Sequence, residues 1–278
     1  MHPPFDRLPN FLKAFGPLQG VRAFGRMHLG SYDGRQFSVT VGGRRVWLRR
    51  TASDTSIFFQ VFVKREYDTS EWPQHAQLSA RYDALVAAGS IPVIIDAGAN
   101  IGMSALWFNA RYPRAKIYAV EPDSGNLAIL TRNVAGNPAI TAVHGAVWDR
   151  TARLTIANPG AGAGAFRVVE GDGALRAYSI PELVEMQPGG TLLIVKIDIE
   201  GGESALFRSN TEWLRDAGMV TIELHDWLYP GGGTSRAFLQ SLATANVDFL
   251  IRGENVFCFN PSALNSGGNS AAAQPREC

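Results

Sequence analysis

The stretch Ile94–Gly102, IIDAGANIG, decides the fold. It closes a short β-rich run, PVIIDAG, in a turn holding Gly98 and Gly102, and a helical pattern over Ile101–Tyr112 follows. Strand, glycine turn and helix make the unit from which parallel sheets are wound. The rhythm then repeats. KIYAVEP precedes a helical pattern over Ser124–Val134, and ITAVHGAVW is a third strand. ARLTIA and FRVVE read as an added hairpin flanking the Gly/Ala-rich NPGAGAGAF. TLLIVKID is the next strand, with a helix predicted over Glu203–Leu214. GMVTIELHD is a further strand, followed by a helix over Thr234–Ala245 and a closing hairpin, VDFLIRGENVFCFN. Such alternation with short loops specifies a doubly wound, mostly parallel α/β sheet. A final antiparallel hairpin at its edge is compatible with that class.

Residues 1–90 differ in style and are read as an α+β extension, a candidate cap over an acceptor site, ahead of a main domain over 91–260. In FSVTVGGRRVWLRR, Val39 and Val41 face Val46 and Leu48 around Gly42-Gly43, a pair suited to a primed hairpin turn. SDTSIFFQVFVKREY reads as a helix capped by Ser53 or Asp54, with Ile57, Phe58, Val61 and Phe62 on one face. A second helical pattern covers Ala76–Ala88 and stops at Gly89-Ser90. Residues 261–278, small, polar and aperiodic, read as a disordered tail.

Hydrophobic residues make up 46% of the 278 and charged residues 18%, so the chain can bury a sizeable core. A net charge of +1 gives no overall electrostatic signature for nucleic acid or an anionic membrane. The two cysteines, Cys258 and Cys278, form neither a disulfide framework nor a zinc spacing, which fits a reducing compartment. MHPPFDRLPN lacks the basic-then-apolar pattern of a signal peptide, and no apolar run reaches membrane-span length. The expectation is a soluble cytoplasmic protein with a small-molecule partner, no nucleic acid and no membrane. The sequence leaves its oligomeric state open.

In an open α/β sheet, ligands bind at the strands' carboxyl ends, where Asp96, Gly98, Asn100 and Gly102 lie. Glycine admits close backbone approach, and Asn100 tolerates the left-handed conformation. This is not the G-x-G-x-x-G of dinucleotide enzymes. Asp96 suits an ammonium group and would repel a pyrophosphate. About twenty residues on, Glu121 ends the second strand, where a carboxylate accepts both hydrogens of a ribose diol. A nucleoside carrying an amino acid fits this pair, and S-adenosylmethionine is such a molecule. Taken singly, each of these residues also has a plain role as a turn, a cap or a surface group.

IIDAGANIGMSALWF, YAVEPD, HGAVWD, VKIDIEGGE and IELHDW, in this order, resemble the FkbM-type S-adenosylmethionine-dependent methyltransferases, as does LRRTASDTSIFFQVFVKREYD upstream. The likeness spans roughly Arg49–Asn260. It implies a seven-stranded, Rossmann-like class I methyltransferase sheet and methyl transfer to a hydroxyl of a sugar or natural product. It also implies that Asp96, Gly98, Asn100, Gly102 and Ser104 line the methionine part of the cofactor. Glu121 would hold the ribose, with Ala146 and Val147 near the adenine. Gly202 stands where the family more often has alanine, and the insert at 158–165 has no strong family signal.

Lys196, Asp198 and Glu200 alternate at the end of TLLIVKIDIEGGE, so all three point to one side of the strand. A buried Lys196 requires a partner, Asp198 or a neighbouring carboxylate within a strand's reach. Methyl transfer to oxygen requires alignment and a proton acceptor. Asp198, Glu200 and His225 are the candidate catalytic residues, and the ordinary pKa of histidine makes His225 attractive as a base. Glu200 can equally charge a helix N-terminus, and His225 can be structural. The same group with Asp226 can hold magnesium, but its spacing demands no metal, so none is expected. Trp227, Tyr229 and the PGGGT loop are a candidate wall of the acceptor pocket. The arginines at 44, 45, 49 and 50 read as a solvated face. Two other readings stay open: a nicotinamide-dependent oxidoreductase, disfavoured by the glycine turn, and a non-catalytic nucleoside-binding scaffold.

Overall fold

The computed structural model describes residues 4–30, 32–156, 168–243 and 245–266. It begins with a helix absent from the sequence reading, α1 (Leu8–His28). Gly16 breaks it at φ 75°, ψ 170°, because Pro17 disfavours a helical residue before it. The two halves fold together so closely that a Cβ on Gly20 would sit 2.6 Å from the Phe11 carbonyl oxygen. β1 (Gln36–Val41) and β2 (Arg44–Arg49) form the expected hairpin, with Val39 opposite Val46. Gly42 and Gly43 take the positive φ of its primed turn.

The next helix, α2 (Ala52–Phe58), is capped by Thr51, whose side chain accepts from the Asp54 amide. Neither Ser53 nor Asp54 is the cap. The Asp54 carboxylate instead takes the Arg49 backbone and guanidinium. A π-helical turn, Phe59–Lys64, continues α2. Its wider repeat rotates the apolar stripe, so Phe58, Phe59, Val61 and Val63 are buried while Ile57 and Phe62 are only partly covered. Helix α3 (Gln74–Ala87) ends at Gly89, φ 76°. This N-terminal region shares one core with a face of the main sheet: Phe11, Leu48 and Phe58 pack in the same cluster as Ile94, Ile117 and Phe257.

The sheet begins with β3 (Ile91–Ala97), α4 (Met103–Arg111), β4 (Lys116–Glu121), α5 (Ser124–Val134) and β5 (Ile140–His144). The third predicted strand is split. Beyond Gly145, β6 (Ala146–Val147) leaves the main sheet and joins β7 (Ala152–Ile156), β8 (Val168–Glu170) and β9 (Leu175–Tyr178) in a small sheet of its own. β7 and β8 pair antiparallel as expected, and the insert at 158–165 lies outside the described residues. Strand β9 and α6 (Ile180–Glu185) were not anticipated.

The central strand β10 (Gly190–Ile197) leads to α7, which spans only Glu203–Leu206. The helix expected to reach Leu214 stops because Ser209 and Asn210 bond Asp149 and tie the chain to the small sheet. A 3₁₀ turn, Glu212–Arg215, precedes β11 (Met219–Glu223). Helix α8 (Arg236–Leu242) is shorter than predicted and leads to β12 (Asp248–Arg252) and β13 (Asn255–Phe259). Residues Pro261–Asn265, read above as the start of the tail, form a helix, α9. Asn260 caps it through the Ser262 and Ala263 amides, and Ala263 and Leu264 are buried. Residues 267–278 lie outside the description.

The strand order is β12-β13-β11-β10-β3-β4-β5, parallel except for β13, which runs antiparallel to both neighbours. Order reverses between β3 and β10, which opens a crevice at their carboxyl ends. Among the described residues, no helix is long and apolar enough to cross a membrane.

Candidate active site

Register places Lys196 of β10 beside Asp96 of β3 at the reversal point. Both side chains are fully buried, with Lys196 Nζ 3.3 Å from Asp96 Oδ1 and 3.6 Å from Asp198 Oδ2. The ammonium also donates to the Gly98 carbonyl at 2.7 Å. Burial alone would lower its pKa, but Asp96, Tyr67 and Asp198 outweigh that and hold it above the ordinary lysine range. Asp96 Oδ2 meanwhile accepts from Ser104 Oγ at 2.6 Å. Asp96 thus already has a cationic partner in the protein's own lysine, and the ion pair holds the Gly98 turn.

That turn is tight. Gly98 has φ 74°, and a Cβ there would lie 1.7 Å from the Asp198 carbonyl oxygen. Asn100 is left-handed at φ 49°, as its side chain permits. Gly98→Ala is expected to cost more than about 2 kcal/mol, from strain at positive φ plus a backbone clash. Urea unfolding of the variant checks this, and a change under half that size would show that the turn relaxes.

In front of the turn lies a cleft of about 600 Å³, counting its open mouth. Gly98, Asn100, Glu121, Ala146, Val147, Asp198 and Glu200 line it. Asp96, Gly102, Ser104 and His225 are not among its lining residues. Glu121 is only 4% exposed. Oε2 accepts the Asn100 amide at 2.8 Å, and Oε1 accepts the Asp123 amide at 3.0 Å and Asn126 Nδ2 at 3.3 Å. Burial dominates over these bonds and pushes its pKa up to about 7. A buried acceptor aimed into a cleft is suited to a vicinal diol. Asn126 was not singled out from the sequence, although its place just after Asp123, the α5 cap, made it findable.

Behind Glu200, His225 is 1% exposed and its Nδ1 donates to Glu203 Oε1 at 2.6 Å. Nε2 faces Asp198 at 3.6 Å, Glu223 at 3.6 Å and Glu200 at 3.8 Å. Burial would lower the imidazole pKa, but Glu203, Asp198 and Glu200 push it up to about 9. His225 thus carries a proton at neutral pH, unlike the free histidine assumed from sequence. Glu200 is pushed up to about 7 by burial and then by Asp198. It sits at φ 52°, with Gly201 beside it against the Tyr229 ring and Tyr229 Oη donating to the Glu200 carbonyl. Donor atoms of Asp198, Glu200 and His225 lie within 4.8 Å of one another, a spacing a divalent cation can also use. Glu203, missed as a site residue, was visible only as the last letter of IEGGE.

The π-helical turn brings Glu66 to the same cluster, where burial, Glu254 and Asp198 raise its pKa. Tyr67 follows, within electrostatic range of Lys196 and Asp198.

A seven-stranded sheet with one reversed strand beside its edge, and a carboxylate-lined cleft at the reversal point, define a class I methyltransferase fold. The FkbM methyltransferase domain matches residues 96–250, more than half of the chain, and the chain belongs to that family. It is 34% identical over 87 residues to methyltransferase sdnD of Sordaria araneosa, covering 31% of this chain and 27% of that protein. The aligned part is thus about a quarter of that relative's length. Among solved structures, precorrin-6y C5,15-methyltransferase from Geobacter metallireducens matches at 12% identity and TM-score 0.37, over 69% of this chain and 90% of that one. TYW2 of M. jannaschii, in complex with AdoMet, matches at 11% identity and TM-score 0.35, over 81% and 84%. Likenesses this distant add nothing to what the strand order says.

Proposed function

We propose that this chain is an S-adenosylmethionine-dependent O-methyltransferase acting on a hydroxyl of a sugar or natural product. The observation that carries the reading is Glu121, a buried, ionisable carboxyl at the tip of β4 that lines one cleft with Asp198 and Glu200. When bound, S-adenosylmethionine supplies an electrophilic sulfonium methyl. Glu121 would hold the ribose, and the β6 residues Ala146 and Val147 would border the adenine. Asp198, on the wall beside Gly98, takes over the ammonium role first read onto Asp96. Glu200 would take the acceptor's hydroxyl proton, readying its oxygen for that methyl group. Its pKa near neutrality suits a proton acceptor at that pH. His225, kept cationic by Glu203, steadies the charged form of Glu200. Residues 1–90 supply the acceptor-side cap through the Glu66–Tyr67 segment, ahead of the catalytic domain over 91–260.

The test is incubation of the full chain with methyl-deuterated S-adenosylmethionine and a panel of hydroxylated sugars and polyketides, read by mass spectrometry. Label should appear on oxygen. With Glu200 as the base, kcat/KM rises as pH climbs through about 7, and it falls as His225 loses its proton near 9. Glu200→Gln should lower kcat by roughly 10²–10⁴-fold while leaving cofactor affinity close to that of the wild type. Binding without transfer to any acceptor would favour the scaffold reading. Thermal protection by NAD would favour the oxidoreductase.

A further inference from the structure

The balanced total charge conceals a division. Residues 1–50 hold nine Lys or Arg against two Asp or Glu, whereas the rest of the chain holds 17 against 23. The basic part is also where apolar side chains are left uncovered. Of the ten large hydrophobic residues found exposed among those described, Phe5, Leu18, Val21, Leu29 and Tyr32 fall within it.

Helix α1 organises both features. It contains no acidic residue. One side, with Phe11, Ala23, Phe24 and Met27, is buried in the core. The opposite side is apolar too: Leu18 is 63% exposed and Val21 53%, three residues apart on one helical face, and Leu29, the C-cap just past the last turn, is 64% exposed. Arg22 and Arg26 run alongside this stripe and, with Arg45 of the hairpin, line a groove whose other walls include Gln19, Ser38 and Thr40. Arg26 is held there by a 2.7 Å bond to the Ser38 carbonyl. No carboxylate lines the groove.

We infer that this face docks on an anionic lipid bilayer, with Leu18, Val21 and Leu29 entering the headgroup boundary and Arg22, Arg26 and Arg45 meeting lipid phosphates. An apolar stripe flanked by arginines is the pattern of a helix lying in the membrane plane. A second copy of the chain is a poor cover, because a two-fold interface would set the same arginines against one another. The acidic remainder of the molecule is repelled by the same surface, which fixes the orientation and turns the basic face inward. An acceptor delivered from a membrane is compatible with this placement, but docking stands independently of the chemistry at the cleft.

Co-sedimentation of the full chain with phosphatidylcholine vesicles, with and without phosphatidylglycerol, tests the inference. Binding should require the anionic lipid. Each arginine removed should lower the partition coefficient roughly 5-fold, so Arg22→Ser/Arg26→Ser should lower it roughly 25-fold. Leu18→Ser/Val21→Ser, which keeps every charge, should also lose roughly tenfold. Unchanged thermal unfolding of these surface variants controls for folding. Equal binding to both vesicle types, or no effect of either double substitution, overturns the proposal. So does loss in the arginine variant alone, which would mark a face for an acidic protein. A dimer in sedimentation velocity that Leu18→Ser/Val21→Ser abolishes would assign the stripe to a second copy instead.

Discussion

Lys196→Met is expected to lower the free energy of unfolding by about 3–5 kcal/mol. The substitution keeps much of the apolar stem and removes only the charge. What it leaves behind is costly: Asp96, fully buried, would keep Ser104 Oγ as a partner but lose the ammonium 3.3 Å from its other oxygen. The Gly98 carbonyl would lose its donor as well, so the turn that shapes the cleft loosens along with the core. Removing one half of a buried pair is far worse than removing both, because the uncompensated charge carries the penalty. Lys196→Met/Asp96→Asn should therefore recover most of the loss, and a double-mutant cycle in urea at neutral pH measures the coupling. A single-mutant loss below about 1 kcal/mol, or a double mutant no better than the single, would show that Asp96 is not what the lysine neutralises.

The same pair shows what sequence order conveys and what it omits. Alternation along TLLIVKID put Lys196 on the side of Asp198 and demanded a carboxylate partner, and both inferences hold in the structure. The nearer partner, however, is 100 positions away in sequence and becomes adjacent only through the β3–β10 register. Glu203 and His225 likewise meet only once α7 closes onto β11. Local chemistry was readable wherever it was complete within a few residues. Gly42-Gly43 announced the hairpin turn, Asn100 its left-handed backbone, and strand–helix alternation the wound sheet. Reading failed where a distant contact overrode local pattern. The helix after Glu203 is cut short by bonds from Ser209 and Asn210 to Asp149, and the stripe after α2 is turned by a π-helical repeat. Helix α1 was missed for a different reason: it is apolar on both sides and broken at Gly16-Pro17, so no single periodicity marks it.

On the proposed reading, Glu121→Gln is expected to weaken S-adenosylmethionine binding by more than about 100-fold while removing a pH dependence from the protein's stability. The binding loss follows from the loss of charge-assisted acceptance: hydrogen bonds to a charged group contribute about 1.5–3 kcal/mol each, and a ribose diol would make two. The change in pH dependence follows from the opposite side of the same burial. The folded-state pKa of Glu121 is raised from 4.5 to about 7, so the native protein holds a proton that the unfolded chain releases between those values. Its contribution is fully present below pH 4.5, fades as pH rises through 7 and leaves a cost of roughly 3 kcal/mol above it. Glutamine keeps the shape and an acceptor oxygen for the Asn100 amide and never ionises, but its NH2 faces the Asp123 amide and Asn126 Nδ2, a donor-to-donor cost that does not vary with pH. Between pH 5 and 8 the wild type should therefore lose roughly 2.5 kcal/mol more stability than the variant, measured by urea unfolding at both values, with affinity read by calorimetry. Glu200 and Glu223 titrate in the same direction but are present in both proteins, so the difference isolates Glu121. Wild-type affinity in the variant would remove Glu121 from the ribose site. Equal destabilisation at both pH values would mean that its hydrogen bonds, and not its charge, govern the fold there.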